Sequence, residues 1–310
     1  MQNVIIHSPD FVKPLPMSPT FSLIAPASFT RPDVLEQAAR ALQPFGIAVR
    51  FPDRLQDQRR YLAGSVEHRL QTLYDAYADP DTDAVWAVRG GYGCAHLATE
   101  IDWNRLSRKP LIGYSDLSVL LDQCHRHGLP AIHGPVMKEG VKLASDDADL
   151  RAASHRDFGA LLGLLEGRSP ESVALTPVSA ASAAAIEGPL VGGNLATLAS
   201  VAGTSLAFRA PPGAIVILED VGEPYYRLER DLWQLVHSGA LDAAAAVCLG
   251  TFEHCVPYGD LELETLFETW LAPRGLPLYA GIPVGHGRDN LPWRYGSKAR
   301  IVSDRLHFLD

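Results

Sequence analysis

The stretch KPLIGYSDLSVLLDQCHRHG, residues 109–128, reads as a strand, a tight turn and an amphipathic helix. Pro110–Tyr114 supplies the strand, and Leu117–His127 repeats apolar side chains at helical spacing. The same alternation continues on both sides. Upstream, Phe21–Ala27 (FSLIAPA) is a short buried strand. A helix starts at Thr30, with Pro32 in its first turn and Asp33 at the capping-box position. Gly46 ends that helix and leads into a strand at Ile47–Phe51. Residues 58–79 place Leu62, Val66, Leu70, Leu73 and Tyr77 on one helical stripe. Asp83–Arg89 (DAVWAVR) is a strand that runs into the turn Gly90-Gly91-Tyr92-Gly93. Downstream, Ala131–His133 is another strand, ended by Gly134-Pro135. Strands and helices alternating at these lengths predict a parallel sheet with helices on both faces. Residues 1–168 are therefore expected to form an N-terminal α/β domain of Rossmann or flavodoxin-like type. Ligands of such sheets bind beyond the carboxyl ends of the strands. The glycine turn and the Tyr114-Ser115 turn both fall at such ends.

Residues 169–187 (SPESVALTPVSAASAAAIE) change character, being small, Ser/Ala-rich and almost free of large apolar side chains after Leu175. That composition reads as a domain linker. Residues 188–310 then form a smaller C-terminal α/β domain. Its expected strands are Ala214–Leu218, Ala243–Leu249, Leu278–Pro283 and Ala299–Leu309, with a helix over Arg227–Leu241. No internal repeat or heptad pattern is present.

A chain of 310 residues suits about two domains. Its 47% apolar and 20% charged residues are ordinary for a soluble globular protein. The net charge of -9 and the lack of any Lys/Arg-rich run argue against nucleic acid as a partner. Cys94, Cys124, Cys248 and Cys255 form no CxxC and pair with no His at zinc-finger spacing, so no metal site is expected. Few cysteines in a long chain fit a reducing compartment. The first 20 residues have no basic segment, and their apolar run is only Val4–Ile6. No stretch reaches ~18 apolar residues, so a cytoplasmic protein without a membrane span is expected. Residues 1–19, interrupted by Pro9, Pro14, Pro16 and Pro19, read as a loose extension or edge element.

Ser115 is the sharpest single feature. A serine at a strand-to-helix turn projects from the sheet edge beside the free N–H groups of the following helix. That setting suits a nucleophile, because attack on a carbonyl creates an oxyanion there. The other role serine fills at such a turn is a plain N-cap. The turn Arg89-Gly90-Gly91-Tyr92-Gly93 offers backbone N–H groups to the same site, although a bare strand–helix turn has the same composition. It satisfies neither GxGxxG nor a P-loop. A serine nucleophile needs a base, and the base an orienting group. His125 and His127, two apart on a helix, are expected to face solvent, and His133 to line the site. His286 lies between Gly285 and Gly287 after a strand, which leaves its imidazole uncrowded. Among acids, Glu219 and Asp220 end an apolar strand, where a carboxylate is costly unless paired or hydrated. Loop acids also serve as caps, a role that suits Asp220 and Glu223 better than Glu219. No HExxH is present.

In order and spacing, IAPAS (24–28), AYADPDTDAVWAVRGGYG (76–93), LIGYSD (111–116), HGP (133–135), GPLVGGNLATL (188–198), LEDVGEPYYRLERDL (218–232) and GIPVGHGRDNLPWRYGSKARI (281–301) form a set. Through them the chain resembles the serine LD-carboxypeptidases and their relatives, the microcin C self-immunity proteins. The resemblance implies Ser115 as nucleophile, His286 as base and Glu219 as its orienting carboxylate. It implies an oxyanion hole from the backbone N–H groups of Gly91 and Asp116. It further implies two domains, a homodimer, no metal and no organic cofactor. The implied substrate is a small peptide, a murein tetrapeptide whose terminal D-alanine is released during cell-wall recycling. A terminal carboxylate needs a cation, and Arg89, Arg288 and Arg294 stand near the motifs without the sequence choosing among them. Two departures from the family pattern are His96, where an Arg is usual, and Tyr225, where Pro is common. A second reading is hydrolysis of peptidyl or aminoacyl-nucleotide conjugates, with Trp293 or Tyr295 as a platform for the base. A third is a non-catalytic binding protein for cell-wall peptides.

Overall fold

The computed structural model describes residues 19–52, 55, 57–170, 172–179 and 185–309. They fall into two units. The first holds the described residues up to Arg168 together with Pro292–Gly296, and the second holds Ser169–Leu291 and the chain from Ser297 onward. The segment read as an N-terminal extension lies outside the described residues except for Pro19.

In the first unit, β1 (Thr20–Ile24), β2 (Ala48–Arg50), β3 (Ala84–Ala87), β4 (Leu111–Gly113) and β5 (Ala131–His133) are all parallel. Their order across the sheet is β2-β1-β3-β4-β5. This is the flavodoxin-like order, in which the direction of winding reverses between β1 and β3 and opens a crevice at their carboxyl ends. The helices are α1 (Pro32–Leu42), α2 (Val66–Ala78), α3 (Cys94–Ala98), α4 (Ser118–Arg126) and α5 (Ala148–Leu165). Helix α1 buries Leu35, Ala38 and Leu42, spaced three and four apart on one face. Its cap is Arg31 rather than Thr30, and no side chain satisfies its first N–H groups. Helix α2 starts at Val66, later than the apolar stripe suggests, because Ser65 caps it by accepting the His68 N–H. Phe21, Leu23, Trp86, Ile112 and Ile132 from the strands pack with Phe158 and Leu161 of α5 into the core. The Trp86 indole inside that core donates to the Pro135 carbonyl at 2.8 Å.

The second unit is shorter in chain length, yet its sheet has eight strands. Strands β8 (Ile186–Asn194), β9 (Ala214–Val221), β10 (Ala244–Glu253) and β11 (Leu278–Gly285) run parallel in its centre. Helices α6 (Leu195–Ser200), α7 (Tyr225–His237) and α8 (Leu263–Leu271) connect them. The expected linker contains strands. Both β6 (Ser172–Ala174) and β7 (Thr176–Pro177) pair antiparallel at the two edges of this sheet. Their side chains are half-buried or exposed, so edge strands held by backbone bonds read as linker in composition. The expected strand 299–309 is a hairpin of β13 (Lys298–Val302) and β14 (Arg305–Phe308), turning at Ser303 with φ +58°. Between β11 and β13 the chain returns to the first unit as β12 (Trp293–Arg294), antiparallel to β5. Among the described residues, no helix is long and apolar enough to cross a membrane. All four cysteines are free thiols.

Candidate active site

In the first unit, β4 ends at Gly113 and Ser115 opens a 3₁₀ turn, Ser115–Leu117, that leads into α4. Ser115 has φ +67°, a left-handed conformation that only glycine takes without strain. A non-glycine residue held there stores energy of order 1–3 kcal/mol, and such strain gathers at functional sites. The residue before it is fixed, since the buried Tyr114 hydroxyl donates to Glu139 Oε1 at 2.9 Å. The glycine turn after β3 lies directly against Ser115. A Cβ on Gly90 would come within 2.8 Å of Ser115 Cβ, 2.9 Å of its Oγ and 3.2 Å of the Asp116 nitrogen. Only a bare Cα allows that approach. Gly91, at φ +116°, passes just as closely over Ser28. Among the described residues, the N–H groups of Gly91 and Asp116 have no hydrogen-bond acceptor in the protein. Ser115 Oγ and these two donors thus share one end of the first unit.

The Asp116 carboxylate does separate work. It accepts the Cys94 N–H at 2.9 Å and so ties the serine turn to the start of α3. Burial pushes its pKa up, against the opposing pull of the Cys94 hydrogen bonds and the Arg69 charge.

In the second unit, His286 follows β11 and Glu219 lies near the end of β9, with β10 between them. Glu219 is fully buried and His286 half-buried, and His286 Nδ1 meets Glu219 Oε2 at 2.7 Å. Three glycines make this reach across a strand possible. A Cβ on Gly250 of β10 would come within 3.1 Å of Glu219 Cβ and closer still to the Val284 carbonyl. One on Gly285 would come within 2.7 Å of Glu219 Oε2, and one on Gly287 within 2.7 Å of Thr251 Cγ2. The register of β10 shifts on both sides of this point, as expected for a bulge at a functional site. Buried Asn290 accepts the Gly285 N–H at 3.1 Å and braces the histidine loop.

Neighbouring residues on a strand point to opposite faces, and this separates the two acids of the Glu219-Asp220 pair. Asp220 faces away from His286. It accepts from Asn194 Nδ2 at 3.0 Å, from the Ala196 N–H at 2.9 Å and from its own neighbour Val221 at 2.8 Å. It therefore braces the first turn of α6, and burial raises its pKa to about 6.

Several other candidates stand elsewhere than the sequence suggests. Trp293 and Tyr295 are 0% and 1% exposed, stacked on each other with Trp293 also on His133, so neither offers an open ring face to a ligand. The nucleotide-conjugate reading needs one of them open to a base, and the return of β12 onto β5 buries both. His133 is fully buried between Tyr114 and Trp293 rather than lining an open site. His125 is buried as well, beneath Gly296 and beside Tyr295, while His127 is exposed and stacks on Trp103. Buried Arg294 donates to the Leu164 carbonyl at 2.6 Å, an anchor for β12. Arg288 is exposed. Arg89 is half-buried at the end of β3. His96 is exposed and lies 3.2 Å from the Tyr92 hydroxyl.

Two further residues shape the site. Ser28 Oγ accepts the Tyr92 N–H at 3.2 Å and seats the glycine turn. Arg69 of α2, only 1% exposed, donates from Nη1 to the carbonyls of Pro26 and Gly93, the latter at 2.9 Å. It clamps the loop after β1 to the glycine turn. Arg69→Met leaves both carbonyls without that donor, each worth roughly 1–3 kcal/mol when buried. The expected loss of unfolding free energy in urea is about 2–4 kcal/mol. A change below about 0.5 kcal/mol, the size of an ordinary surface substitution, would refute the clamp.

The first unit thus holds a strained serine beside two N–H groups without a protein acceptor, and the second a histidine bonded to a buried carboxylate, residue types that serine hydrolases use. Residues 22–134 match the LD-carboxypeptidase N-terminal domain and residues 187–301 the LD-carboxypeptidase C-terminal domain. The chain belongs to the LD-carboxypeptidase family, and is a serine-type carboxypeptidase. It is 44% identical over 302 residues to a murein tetrapeptide carboxypeptidase of Pseudomonas aeruginosa, covering 94% of this chain and 96% of the relative. The crystal structure of a muramoyltetrapeptide carboxypeptidase from Oxalobacter formigenes, 28% identical, matches with a TM-score of 0.77 over 94% of this chain and 99% of that one. The wild-type microcin C7 self immunity protein, 18% identical, shares the fold with a TM-score of 0.84 over 97% of this chain and 99% of its own.

Proposed function

We propose that the enzyme releases the terminal D-alanine from murein tetrapeptides, in the cytoplasm and as a homodimer, within cell-wall recycling. The extended likeness to the Pseudomonas aeruginosa murein tetrapeptide carboxypeptidase supports the substrate. The observation that carries the mechanism is the buried Glu219–His286 contact at 2.7 Å. Glu219 fixes Nδ1 as the protonated nitrogen, so Nε2 is left as the base. Nε2 takes the Ser115 proton as Oγ attacks the scissile carbonyl carbon. This needs Oγ and Nε2 within about 2.6–3.2 Å of each other when substrate is bound. The oxyanion is held by the Gly91 and Asp116 N–H groups, each worth about 3–4 kcal/mol in a comparable hole. The amide bond breaks, His286 returns the proton to the leaving amine, and D-alanine departs. Water then attacks the Ser115 ester by the same route, with no cofactor.

Hydrolysis of a nucleotide conjugate is the weaker reading, because the two aromatic side chains it would use are buried. Purified enzyme given a tetrapeptide ending in diaminopimelate–D-Ala should release D-alanine, and should spare the same peptide ending in L-Ala. Two fixed points, the oxyanion hole and a cation on the terminal carboxylate, leave the last side chain one direction. Inverting that centre displaces the reacting atoms, and about 1 Å of displacement costs ~10²-fold in rate. Equal rates on the two peptides by mass spectrometry would refute the stereochemical argument. Turnover of an aminoacyl-adenylate analogue in place of the peptide would favour the other substrate class.

A further inference from the structure

The first unit carries positive charge without a matching acid at its winding reversal, between the ends of β1 and β3. Arg89 follows β3, and its Nη1 donates to the Phe29 carbonyl after β1 at 3.1 Å. Its Nε is buried with no partner, and lies 3.8 Å from the place a Cβ on Gly91 would occupy. Lys138 stands in the turn Met137–Ala144, its backbone N–H donating to the Val88 carbonyl at 3.0 Å. That bond sets Lys138 beside the strand end that carries Arg89. The adjacent acid, Glu139, is engaged elsewhere, by the Tyr114 hydroxyl at 2.9 Å and by Lys142 Nζ at 2.6 Å. Among the described residues, no carboxylate lies within ion-pair distance of Arg89 or Lys138. Burial lowers the pKa of Lys138, and the Arg89 guanidinium lowers it further.

Two partly buried cations side by side repel each other and lose hydration, an arrangement that favours an anionic guest. The location narrows the guest. Arg89 is two residues from the Gly91 N–H that the proposed mechanism aims at the scissile carbonyl. In a carboxypeptidase substrate the terminal carboxyl carbon is one residue beyond that carbonyl, a span of about 4 Å. We propose that Arg89 and Lys138 together bind the terminal carboxylate of the substrate, with the Arg89 guanidinium as the directional donor and the Lys138 ammonium as the second charge. The inference rests on the peptidase reading above. It assigns the cation which that reading requires, and it adds Lys138, which no sequence motif singles out.

Arg89 also ties two loops together, so replacing it mixes binding with folding. Lys138→Met removes one charge at a half-buried position and isolates the effect. The measurement is kcat/KM for D-alanine release from the tetrapeptide and for release of D-alaninamide from its C-terminal amide. Wild-type enzyme is expected to prefer the free acid by roughly 10–100-fold, the worth of a charge-assisted contact. Lys138→Met should lose most of that preference through a higher KM for the acid. Lys138→Arg should retain the preference. The amide rate serves as the folding control, because a damaged fold lowers both. An acid-to-amide ratio equal in wild type and Lys138→Met, or no preference in wild type, would overturn the anchor while the peptidase reading stands. Wild-type enzyme that releases no D-alanine would overturn the peptidase reading, and the anchor with it.

Discussion

Ser115→Ala is expected to lower kcat for D-alanine release by about 10⁴–10⁶-fold and to leave tetrapeptide binding nearly unchanged. The size follows from what is lost and what stays. The Oγ nucleophile disappears, and the neighbouring hydroxyls are engaged, Tyr114 with Glu139 Oε1 and Ser118 with the Ser115 carbonyl. The Gly91 and Asp116 N–H groups remain, since they belong to the backbone. They keep a residual advantage over water of about 10³–10⁴-fold in comparable enzymes. The left-handed φ of +67° is shared by alanine and serine at similar strain, so the turn has no reason to relax. Gly90 continues to allow its close approach, because the Cβ it faces is still present. The variant should therefore fold, bind and fail to turn over. Calorimetric binding of the tetrapeptide together with a product assay separates these outcomes. Turnover within tenfold of wild type would remove Ser115 from the mechanism.

The elements nearest the nucleophile were legible because their residues obey local rules. The strand–turn–helix at 109–128 and the glycine turn after Asp83–Arg89 appear where alternation and turn chemistry put them. The strand order was not legible, since periodicity identifies strands but not their neighbours. Arg69 shows a different limit. Hydrophobic periodicity puts Leu70 on the buried stripe, yet Arg69 is the buried residue, because its guanidinium satisfies two loop carbonyls. The misplacement of His125, Trp293 and Tyr295 has one cause. Strand β12 returns from the far end of the chain to β5, and long-range pairing leaves no local trace. Gly250 did carry a signal, because a glycine inside an apolar strand marks a bulge or close backbone approach. It makes room for the Glu219 side chain. The strain at Ser115 had none, since serine is common at helix starts in ordinary conformations.

Glu219→Gln should keep the fold and lower kcat by about 10⁴-fold, the loss seen when the orienting acid of a serine triad becomes an amide. Glu219 is 0% exposed and its Oε2 lies 2.7 Å from His286 Nδ1. With the carboxylate, Nδ1 must carry the proton and Nε2 is free to accept one from the serine. The amide can instead turn its NH₂ toward Nδ1. It then donates to that nitrogen, the proton sits on Nε2, and the base is blocked. Even in the other orientation a neutral amide does not offset the charge of the imidazolium formed during attack. Size is not the cause, because glutamine is nearly isosteric and the clearance at Gly250 and Gly285 is unchanged. The control is Asp220→Asn. Its side chain serves Asn194 and the start of α6, so the expected effect is about 1 kcal/mol of stability with kcat near wild type. Because burial holds the Asp220 pKa at about 6, above the usual carboxylate value, its ionised form is disfavoured by folding. It destabilises increasingly as pH rises from about 4 to 6 and fully above that. Removing that titration in Asp220→Asn should offset part of the lost capping above pH 6, and unfolding curves at pH 5 and pH 8 would show the difference. The reverse pattern, an inactive Asp220→Asn beside an active Glu219→Gln, would mean that the 2.7 Å contact is structural and that the base is oriented by the other carboxylate.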